Sequence, residues 1–246
     1  MIDFSERVLL LTGANGGIPQ AIAKMFFNQG AHCFLTDIDE QGVIDFAQSL
    51  DPSGTRCVGM KQDVTLSRDA DSVMEAVRSK FGHIDYLVTG AGLYRDQMIH
   101  NMTDAQWQDS LGINLNGVFF TCRAAIPLLA DGGAIVNISS MSGHRGSFMH
   151  SDYAASKGGV LAFTRTLAME LAPRIRVNAI SPGLIDTPMV QPLLDKQGPK
   201  LMEATPLKRL GRPDEVAGVV AYLCSDLASF VTAETIHVNG GLYIAS

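Results

Sequence analysis

The stretch LLLTGANGGIPQ, residues 9 to 20, decides how the chain begins to fold. A run of apolar residues from Val8 to Leu11 predicts a buried strand, and the glycines that follow, Gly13 and Gly17 among them, predict a tight turn. In an open parallel sheet the ligand crevice lies where the first strand turns into the first helix, and free N–H groups at the start of that helix attract phosphate. The stretch therefore predicts a strand, a glycine turn and a helix that together bind a phosphate-bearing ligand.

Short, unbroken apolar runs recur along the rest of the chain, and helical stretches separate them. Continuous rather than alternating runs are typical of strands covered on both faces, as in parallel sheets. The capping box Thr103–Gln106 and the Pro-Asp-Glu start at Pro213 mark two of the helices. The pattern predicts an α/β fold, a doubly wound, Rossmann-type parallel sheet of about seven strands with helices on both faces. The runs begin at residues 8, 32, 56, 84, 134, 175 and 235.

No linker, charge block or internal repeat divides the sequence, so we expect a single dinucleotide-binding domain over residues 1 to 246. The segment from about 183 to 212 is rich in proline and follows the sixth predicted strand. We expect it to form an irregular excursion that covers the ligand site, and a plain surface loop is the alternative.

The composition is that of a globular protein, with 46% hydrophobic residues, 18% charged residues and a formal net charge of −6. The 19 basic residues are scattered, which argues against a nucleic-acid surface, and charges interrupt every apolar stretch that might span a membrane. The start MIDFSERVLLLTG has no signal-peptide pattern, so we expect a cytoplasmic protein. The four cysteines lie far apart, and no ligand spacing predicts a metal site.

An acidic residue at the end of the second predicted strand makes the ligand more specific. Asp37 stands 24 residues beyond Gly13, where a carboxylate can accept hydrogen bonds from the ribose hydroxyls of adenosine. This carboxylate would repel a 2′-phosphate, and Asn15 in the glycine turn supplies no positive charge to hold one. We therefore expect the cofactor to be NAD, with its pyrophosphate against Gly17 and Ile18.

A second constellation carries groups that can transfer a proton. Tyr153 and Lys157 stand four residues apart in YAASK, on one face of a predicted helix. Ser140 ends a predicted strand 13 residues earlier, and Asn114 lies in a helical stretch before that. An isolated phenol has a pKa of about 10, and lowering it by about 3 units requires roughly 4 kcal/mol of differential stabilisation. Lys157 and an oxidised nicotinamide both carry the positive charge that favours the phenolate.

This ordered set of motifs resembles the short-chain dehydrogenase/reductase (SDR) family over nearly the whole sequence. The motifs are TGANGGI, Asp63-Val64, Asn114, NISS, YAASK, NAISPGLIDT, GRPDEVA and VNGG. The resemblance implies that Tyr153 is the general acid/base, that Ser140 holds the substrate oxygen, and that Asn114 anchors a water near Lys157. It also implies further cofactor contacts, at Asp63, Val64, Gly90, Ala91, Tyr153, Lys157, Pro182, Gly183, Ile185 and Thr187.

The chain departs from the family pattern at Pro19, Thr89 and Gly90, and the role of Asp63 has an alternative. Pro19 stands where another glycine is expected, but an N–H in the first helical turn has no intrahelical partner, so we expect weaker cofactor binding at worst. At the fourth strand the family usually has Asn-Asn-Ala-Gly, whereas this chain has Thr89-Gly90 before Ala-Gly. The side-chain hydrogen bonds of those asparagines are therefore missing. For Asp63, capping of the following helix is the alternative to a cofactor contact.

The resemblance implies an oxidoreductase that moves a hydride between NAD(H) and a small secondary alcohol or ketone. ISSMSG is similar to stretches in sugar and polyol dehydrogenases, which suggests a sugar, polyol or hydroxyacid. GRPDEVA is similar to 3-oxoacyl-(acyl-carrier-protein or CoA) reductases, which typically prefer NADPH and dock an acidic carrier on basic residues before the fifth strand. That stretch, PLLADGG, has Asp131 instead. This reductase is the first alternative, and a dinucleotide-binding protein without turnover is the second.

Three segments are expected to face the nicotinamide: Tyr94-Arg95, residues 141 to 151, and residues 189 to 194. Within the second segment, His144, Arg145 and His150 either recognise a hydroxylated or anionic substrate or are solvated loop residues. Small residues along the helix from Tyr153 to Leu171 favour close helix association, so we expect a homotetramer. Packing of that helix on its own sheet is the alternative.

Overall fold

The computed structural model describes residues 2 to 244 and contains one seven-stranded sheet in which every pair of neighbouring strands is parallel. The strand order is β3-β2-β1-β4-β5-β6-β7, so the chain winds outward in both directions from β1 and β4. This confirms the predicted α/β class. The strands are β1 Val8–Thr12, β2 His32–Asp37, β3 Cys57–Lys61, β4 Ile84–Thr89, β5 Leu129–Ile138, β6 Arg176–Pro182 and β7 Thr235–Val238.

Helices follow the strands and cover both faces of the sheet. Thr103 caps α4 through the predicted capping box, and Pro213 begins α9 as expected. A single π turn, Gly112–Asn116, joins α4 to α5. The helices are α1 Gly17–Asn28, α2 Glu40–Leu50, α3 Ser67–Phe81, α4 Asp104–Leu111, α5 Gly117–Ala125, α6 Ser142–Arg145, α7 Ser151–Leu171, α8 Gln191–Ala204 and α9 Pro213–Cys224.

Two hydrophobic cores lie on opposite faces of the sheet, which is why the strands read as unbroken apolar runs. Leu9 and Leu11 of β1 point into the core under α1 and α9, and Leu10 points into the core under α3, α5 and α7. Successive side chains of a strand alternate between faces, so a strand buried on both sides needs apolar residues throughout.

Two boundaries differ from the sequence-based expectations. The proline-rich excursion is not irregular, because its middle forms the helix α8. Pro192 lies in the first turn of α8, where proline is tolerated, although Pro199 lies inside the helix. The strand β5 begins at Leu129, so Asp131 lies within the strand rather than before it.

One continuous helical stretch, Asp104–Leu128, is long and apolar enough by length and composition to cross a membrane. Of its most apolar window, 39% is buried inside the protein. Its C-terminal part packs on the sheet through Val118, Cys122 and Ala125, as expected of a core helix.

Candidate active site

One large cavity, about 1040 Å³, opens at the carboxyl ends of the central strands, at the place where the strand order reverses. Every site residue predicted from the sequence lines this cavity except Asn114, which is fully buried behind its wall. The lining members are Gly13, Asn15, Gly17, Ile18, Asp37, Asp63, Val64, Gly90, Ala91, Ser140, Tyr153, Lys157, Pro182, Gly183, Ile185 and Thr187.

The glycine turn lies against two other loops at distances that exclude side chains. Gly13 has φ +69°, and a Cβ there would lie 2.5 Å from the backbone of Ala91. A Cβ on Gly17 would lie 2.7 Å from Cγ2 of Thr187. These contacts bring the turn, the loop after β4 and the loop after β6 together around the N-terminus of α1, whose first N–H groups have no intrahelical partner.

Pro19 and Gly90, two of the three departures from the family pattern, contact each other. Pro19 is the third residue of α1, and its Cγ lies 2.8 Å from the position that a Cβ of Gly90 would occupy. The backbone near Gly90 is held instead by Thr12, whose Oγ1 accepts hydrogen bonds from the N–H groups of Gly90 and Ala91 at 3.1 and 3.4 Å. The proline ring therefore fills the space that glycine leaves.

The Thr89 side chain bonds within the core, where the family pattern has an asparagine. Its Oγ1 donates to Oδ1 of Asn137 at 2.8 Å, and Nδ2 of Asn137 donates to Oγ1 of Thr164 at 3.0 Å. This buried network links β4, β5 and α7 beneath the cavity.

Asp37 is held at the mouth of the cavity by backbone donors. Its Oδ2 accepts from the N–H of Asn15 at 3.0 Å, and its Oδ1 accepts from the N–H of Asp39 at 3.1 Å. The Asn15 side chain in turn donates to the carbonyl of Asp39. The carboxylate thus ties the glycine turn to the loop after β2, and Ile38 beside it is 58% exposed.

Asp63 and Val64 lie on the next loop along the sheet. The Asp63 carboxylate accepts from the N–H and Oγ1 of Thr65 at 2.9 and 2.6 Å, whereas the residue that precedes α3 is Leu66. The helix-capping alternative for Asp63 is therefore wrong. Val64 packs against Gly117, whose added Cβ would lie 2.8 Å from Cγ2 of Val64.

The loop after β6 forms the opposite wall. Pro182 ends β6, and its carbonyl accepts the N–H of Met141 at 3.2 Å. Gly183 lies so close to Asn239 that a Cβ would be 2.7 Å from the Asn239 side chain. Ile185 is buried, and its carbonyl accepts the Thr187 hydroxyl at 3.3 Å.

Ser140, Tyr153 and Lys157 meet in the middle of the cavity, where β5 ends against α7. Lys157 is buried, and its Nζ donates to the carbonyl of Ile138 at 2.8 Å and lies 5.8 Å from the centre of the Tyr153 ring. The Ser140 Oγ accepts the N–H of Ser142 at 3.2 Å. The predicted spacing of four residues thus brings the ammonium beside the phenol.

Asn114 lies in the π turn and is bound to the loop after β4. Its Oδ1 accepts the N–H of Leu93 at 2.8 Å, and its Nδ2 donates to the carbonyl of Leu93 at 2.9 Å and to Oγ of Ser110 at 3.2 Å. A Cβ on Gly92 would lie 3.3 Å from Oδ1 of Asn114 and 3.8 Å from Nζ of Lys157. The amide of Asn114 and the ammonium of Lys157 therefore both lie close to Gly92.

Burial dominates the acid–base properties of this group in the protein by itself. It raises the pKa of Tyr153, which the hydrogen bond with Ser140 opposes. It lowers the pKa of Lys157 to about 8. Both shifts favour the uncharged forms, because desolvation penalises charge. A low phenol pKa is therefore not a property of the chain alone and requires further positive charge beside the ring.

The three segments expected to face the nicotinamide line the cavity only in part. Tyr94, Arg145 and His150 line the cavity, as do Met189, Val190 and Leu193. Arg95 pairs with Asp109 at 3.5 Å, and the His144 ring bonds Oγ of Ser181 at 2.9 Å; neither residue lines the cavity. The sequence reasoning missed Asp96, which lines the cavity and bonds His150 at 3.0 Å.

No three His, Cys, Asp or Glu side chains are grouped as metal ligands within residues 2 to 244. The four cysteines are buried and form no disulfide bond with one another.

Comparison with known proteins assigns the chain to a family. Residues 13–243 match the family model described as enoyl-(acyl carrier protein) reductase. A 3-oxoacyl-[acyl-carrier-protein] reductase FabG from Salmonella typhimurium is 37% identical over 246 residues, which cover 99% of this chain and 100% of the relative. The FabG of Thermotoga maritima is 38% identical over 241 residues, covering 97% and 98% of the two chains.

The solved structures lead to the same family. The crystal structure of a short-chain dehydrogenase/reductase described as a glucose/ribitol dehydrogenase from Brucella melitensis superposes with a TM-score of 0.97. It is 46% identical, and 99% of each chain is covered. The chain therefore belongs to the short-chain dehydrogenase/reductase family, a family of oxidoreductases that bind a nicotinamide dinucleotide.

Proposed function

We propose that this protein is an NAD-dependent oxidoreductase that moves a hydride between the nicotinamide and a small secondary alcohol or ketone, with Tyr153 as the general acid/base. The observation that carries the proposal is the meeting of Ser140, Tyr153 and Lys157 in the cavity that begins at the glycine turn. A phenol, an ammonium and a hydroxyl around one space are the groups that proton transfer to a carbonyl oxygen requires.

The residues present fit a dinucleotide. The absence of side chains at Gly13 and Gly17 lets the loops after β4 and β6 pack against the glycine turn, and the turn lines the cavity. The N-terminus of α1 there supplies N–H groups and a positive dipole end for a pyrophosphate. Asp37 would hold the adenosine ribose, and Asp63 and Val64 would flank the adenine. Gly90, Ala91, Pro182, Gly183, Ile185 and Thr187 would surround the nicotinamide ribose and carboxamide.

The chain's own residues prepare the substrate oxygen for the transfer. When bound, a nicotinamide dinucleotide supplies the hydride donor or acceptor. Ser140 would donate a hydrogen bond to the substrate oxygen, and Tyr153 would give or take the proton on that oxygen. Lys157 stabilises the phenolate form by its charge, and Asn114 holds the loop that lies beside the Lys157 ammonium.

The preference for NAD over NADP rests on the charges near the ribose. Asp37 lies at the mouth of the cavity and Asp39 is two residues further, so a 2′-phosphate would meet acidic groups. The residue in the turn that faces them is Asn15, which is neutral.

Replacement of Tyr153 by Phe tests the proposed chemistry. The substrate panel is 2-butanol, sorbitol, ribitol, glucose and 3-hydroxybutyrate with NAD, and acetoacetyl-CoA with NADPH, followed as absorbance of the reduced nicotinamide. Tyr153→Phe should reduce kcat by about a thousand-fold or more while NADH still binds, because only the proton-transfer group is lost. Tyr222→Phe on α9 is the matched control. Turnover in Tyr153→Phe equal to that of the parent would refute the assignment.

A 3-oxoacyl-(acyl-carrier-protein or CoA) reductase that uses NADPH is the second candidate. The names of the FabG relatives favour it, and so do the apolar side chains at the substrate end, which include Met141, Met149 and Leu193. One observation disfavours docking of an acidic carrier near the start of β5. Arg174, a basic residue beside Asp131, lies 3.7 Å from that carboxylate and donates to the carbonyls of Leu129 and Ile126, so its guanidinium is already engaged. Fastest turnover of acetoacetyl-CoA with NADPH in the panel would select this candidate.

Two further parts of the proposal concern catalysis and assembly. The intact tyrosine, lysine, serine and asparagine support an enzyme over a dinucleotide-binding protein without turnover.

The homotetramer is less well supported, since Gly158 lies against Gly143 and Gly159 against Leu115 within the same chain. On α7, Ala155 and Ala162 remain exposed, and Met169 is 72% exposed, which leaves one face for a second copy.

A further inference from the structure

Two aromatic rings stand in series behind the phenol of Tyr153. The ring of Tyr94 meets the Tyr153 ring edge to face, with centroids 5.0 Å apart and an interplanar angle of 85°. The Tyr94 ring also stacks on the ring of His150, with centroids 4.3 Å apart and an interplanar angle of 15°. Edge-to-face and offset-stacked rings of this kind restrict each other's rotation.

Both nitrogens of the His150 ring are hydrogen bonded, so the ring cannot turn. Nε2 lies 3.0 Å from Oδ1 of Asp96, and Nδ1 lies 2.9 Å from Oγ of Ser147. A carboxylate only accepts, so Nε2 carries the proton and donates. His150 is 4% exposed, which makes it a buried wall rather than a solvated loop residue.

Asp96 is itself held in the ionised form. Lys196 of α8 donates to its Oδ2 at 2.7 Å, and this bond together with the one from His150 keeps the pKa of Asp96 below its usual range. The backbone adds a separate connection, because the N–H of Gln97 donates to the carbonyl of Met149 at 2.8 Å. The loop after β4 and the loop before α7 therefore stay joined by this backbone hydrogen bond when the side chain of Asp96 or His150 is removed.

We infer that Tyr94 and His150 are positioning residues for the catalytic tyrosine, and that Asp96 fixes the His150 ring in the orientation that supports Tyr94. The inference rests on the proposed function, since it assigns the general acid/base role to Tyr153. His150 contributes a ring face and fixed hydrogen bonds, and it does not exchange a proton with substrate. The phenolic hydroxyl of Tyr94 is hydrogen bonded to Ser147, but the ring alone makes the contacts with Tyr153 and His150, so the hydroxyl is dispensable for the positioning.

Four variants test this arrangement: Tyr94→Ala, Tyr94→Phe, His150→Ala and the double variant Tyr94→Ala/His150→Ala. His100→Ala, an exposed histidine outside the cavity, is the matched control. Each is assayed with the panel compound that the parent turns over fastest. NADH affinity is measured by fluorescence titration, and folding by thermal unfolding.

Loss of the ring contacts should lower kcat and leave binding unchanged. We expect Tyr94→Ala and His150→Ala each to lower kcat by about ten- to a hundred-fold, since small misplacements of a catalytic group cost that much. NADH affinity should change less than about two-fold, and Tyr94→Phe should retain parent kcat because it keeps the ring. The double variant should be no slower than the worse single variant, as expected of residues that act as a unit.

Several results would overturn the inference. These are an unchanged kcat in His150→Ala, losses that multiply in the double variant, a loss in Tyr94→Phe equal to that in Tyr94→Ala, and an effect confined to the KM of the substrate. The Tyr153→Phe result separates failure of the positioning role from failure of the proposed function. If Tyr153→Phe is inactive and His150→Ala is normal, only the positioning role fails; if Tyr153→Phe is active, the proposed function fails first.

Discussion

Asp37 is the residue on which the proposed preference for NAD over NADP depends. Its two oxygens already accept backbone N–H groups, so the carboxylate is fixed in place and cannot swing away from a 2′-phosphate. Two unit charges about 4 Å apart near a protein surface repel by roughly 4 kcal/mol. The contacts that the two dinucleotides share cancel in the comparison, so a repulsion of this size would decide between them.

Asp37→Ser should therefore change cofactor preference. The parent should show a higher kcat/KM with NAD than with NADP, and the variant should raise kcat/KM with NADP by at least about ten-fold because the repulsion is gone. Steady-state assays with both dinucleotides measure this. Asp45→Ser on the exposed face of α2 is the control. A parent that prefers NADP would contradict the assignment before any variant is made.

Single residues were predictable where the backbone itself demands them. Gly13 adopts a positive φ and touches Ala91, so only glycine fits, and the sequence shows this directly. Asp96 was missed because an isolated acid after a strand has no pattern of its own. Its partner His150 lies 54 residues further along the chain, and only the tertiary fold brings the two together.

At the scale of elements, the contact between α1 and the loop after β4 couples Pro19 to Gly90. A Cβ at position 90 would lie 2.8 Å from Cγ of Pro19 and 2.7 Å from the carbonyl of Thr12. Pro19 and Gly90, which look like independent departures from the family pattern in the sequence, therefore form one packed contact. The sequence alone hides this because the residues are 71 positions apart.

Gly90→Ala should destabilise the protein by about 2 kcal/mol, since overpacking forces the backbone to shift. The cost should be smaller by about 1 kcal/mol when Pro19→Gly is also present, because one of the two close contacts disappears. Urea unfolding of the parent, both single variants and the double variant gives this coupling, and NADH titration reports its effect on the cavity.

Gly218→Ala is the control for this cycle, because nothing lies within 4 Å of its added Cβ. Its small effect should be the same whether Pro19 is kept or the Pro19→Gly substitution is present in α1. Strict additivity of Gly90→Ala and Pro19→Gly, within about 0.3 kcal/mol, would show that the contact has no energetic consequence.

The elements themselves were largely predictable, and the exceptions have physical causes. All seven strands were predicted from apolar runs, and the five strands from β2 to β6 across the middle of the sheet are mostly buried because both of its faces are covered. The helix α8 was missed because prolines usually end helices, yet Pro192 falls in the first turn, where the missing N–H costs little. The π turn at Asn114 left no signal, since it depends on the contact of that side chain with Leu93.

For the whole molecule, burial of Lys157, which is proposed to act in catalysis, lowers the stability of the fold at neutral pH. Lys157 is buried, and its pKa is lowered from 10.5 to about 8 by loss of hydration. In the unfolded chain the same ammonium is hydrated, so at neutral pH folding must desolvate a charge. A difference of that size corresponds to roughly 3 kcal/mol, and it is present although Nζ donates to the carbonyl of Ile138.

Lys157→Met should consequently abolish turnover and stabilise the fold by about 2 kcal/mol at pH 7. The folded-state pKa lies below the unfolded one, so the unfolded chain holds more protons between about pH 8 and 10.5, and parent stability rises with pH in that window. Below pH 8 the cost is fully present; near pH 10.5 the gain from Lys157→Met should vanish. Urea unfolding from about pH 6 to 10.5 measures this, with the exposed Lys80→Met as control. A variant less stable than the parent at about pH 7 would contradict the argument that the active site is held at the expense of the fold.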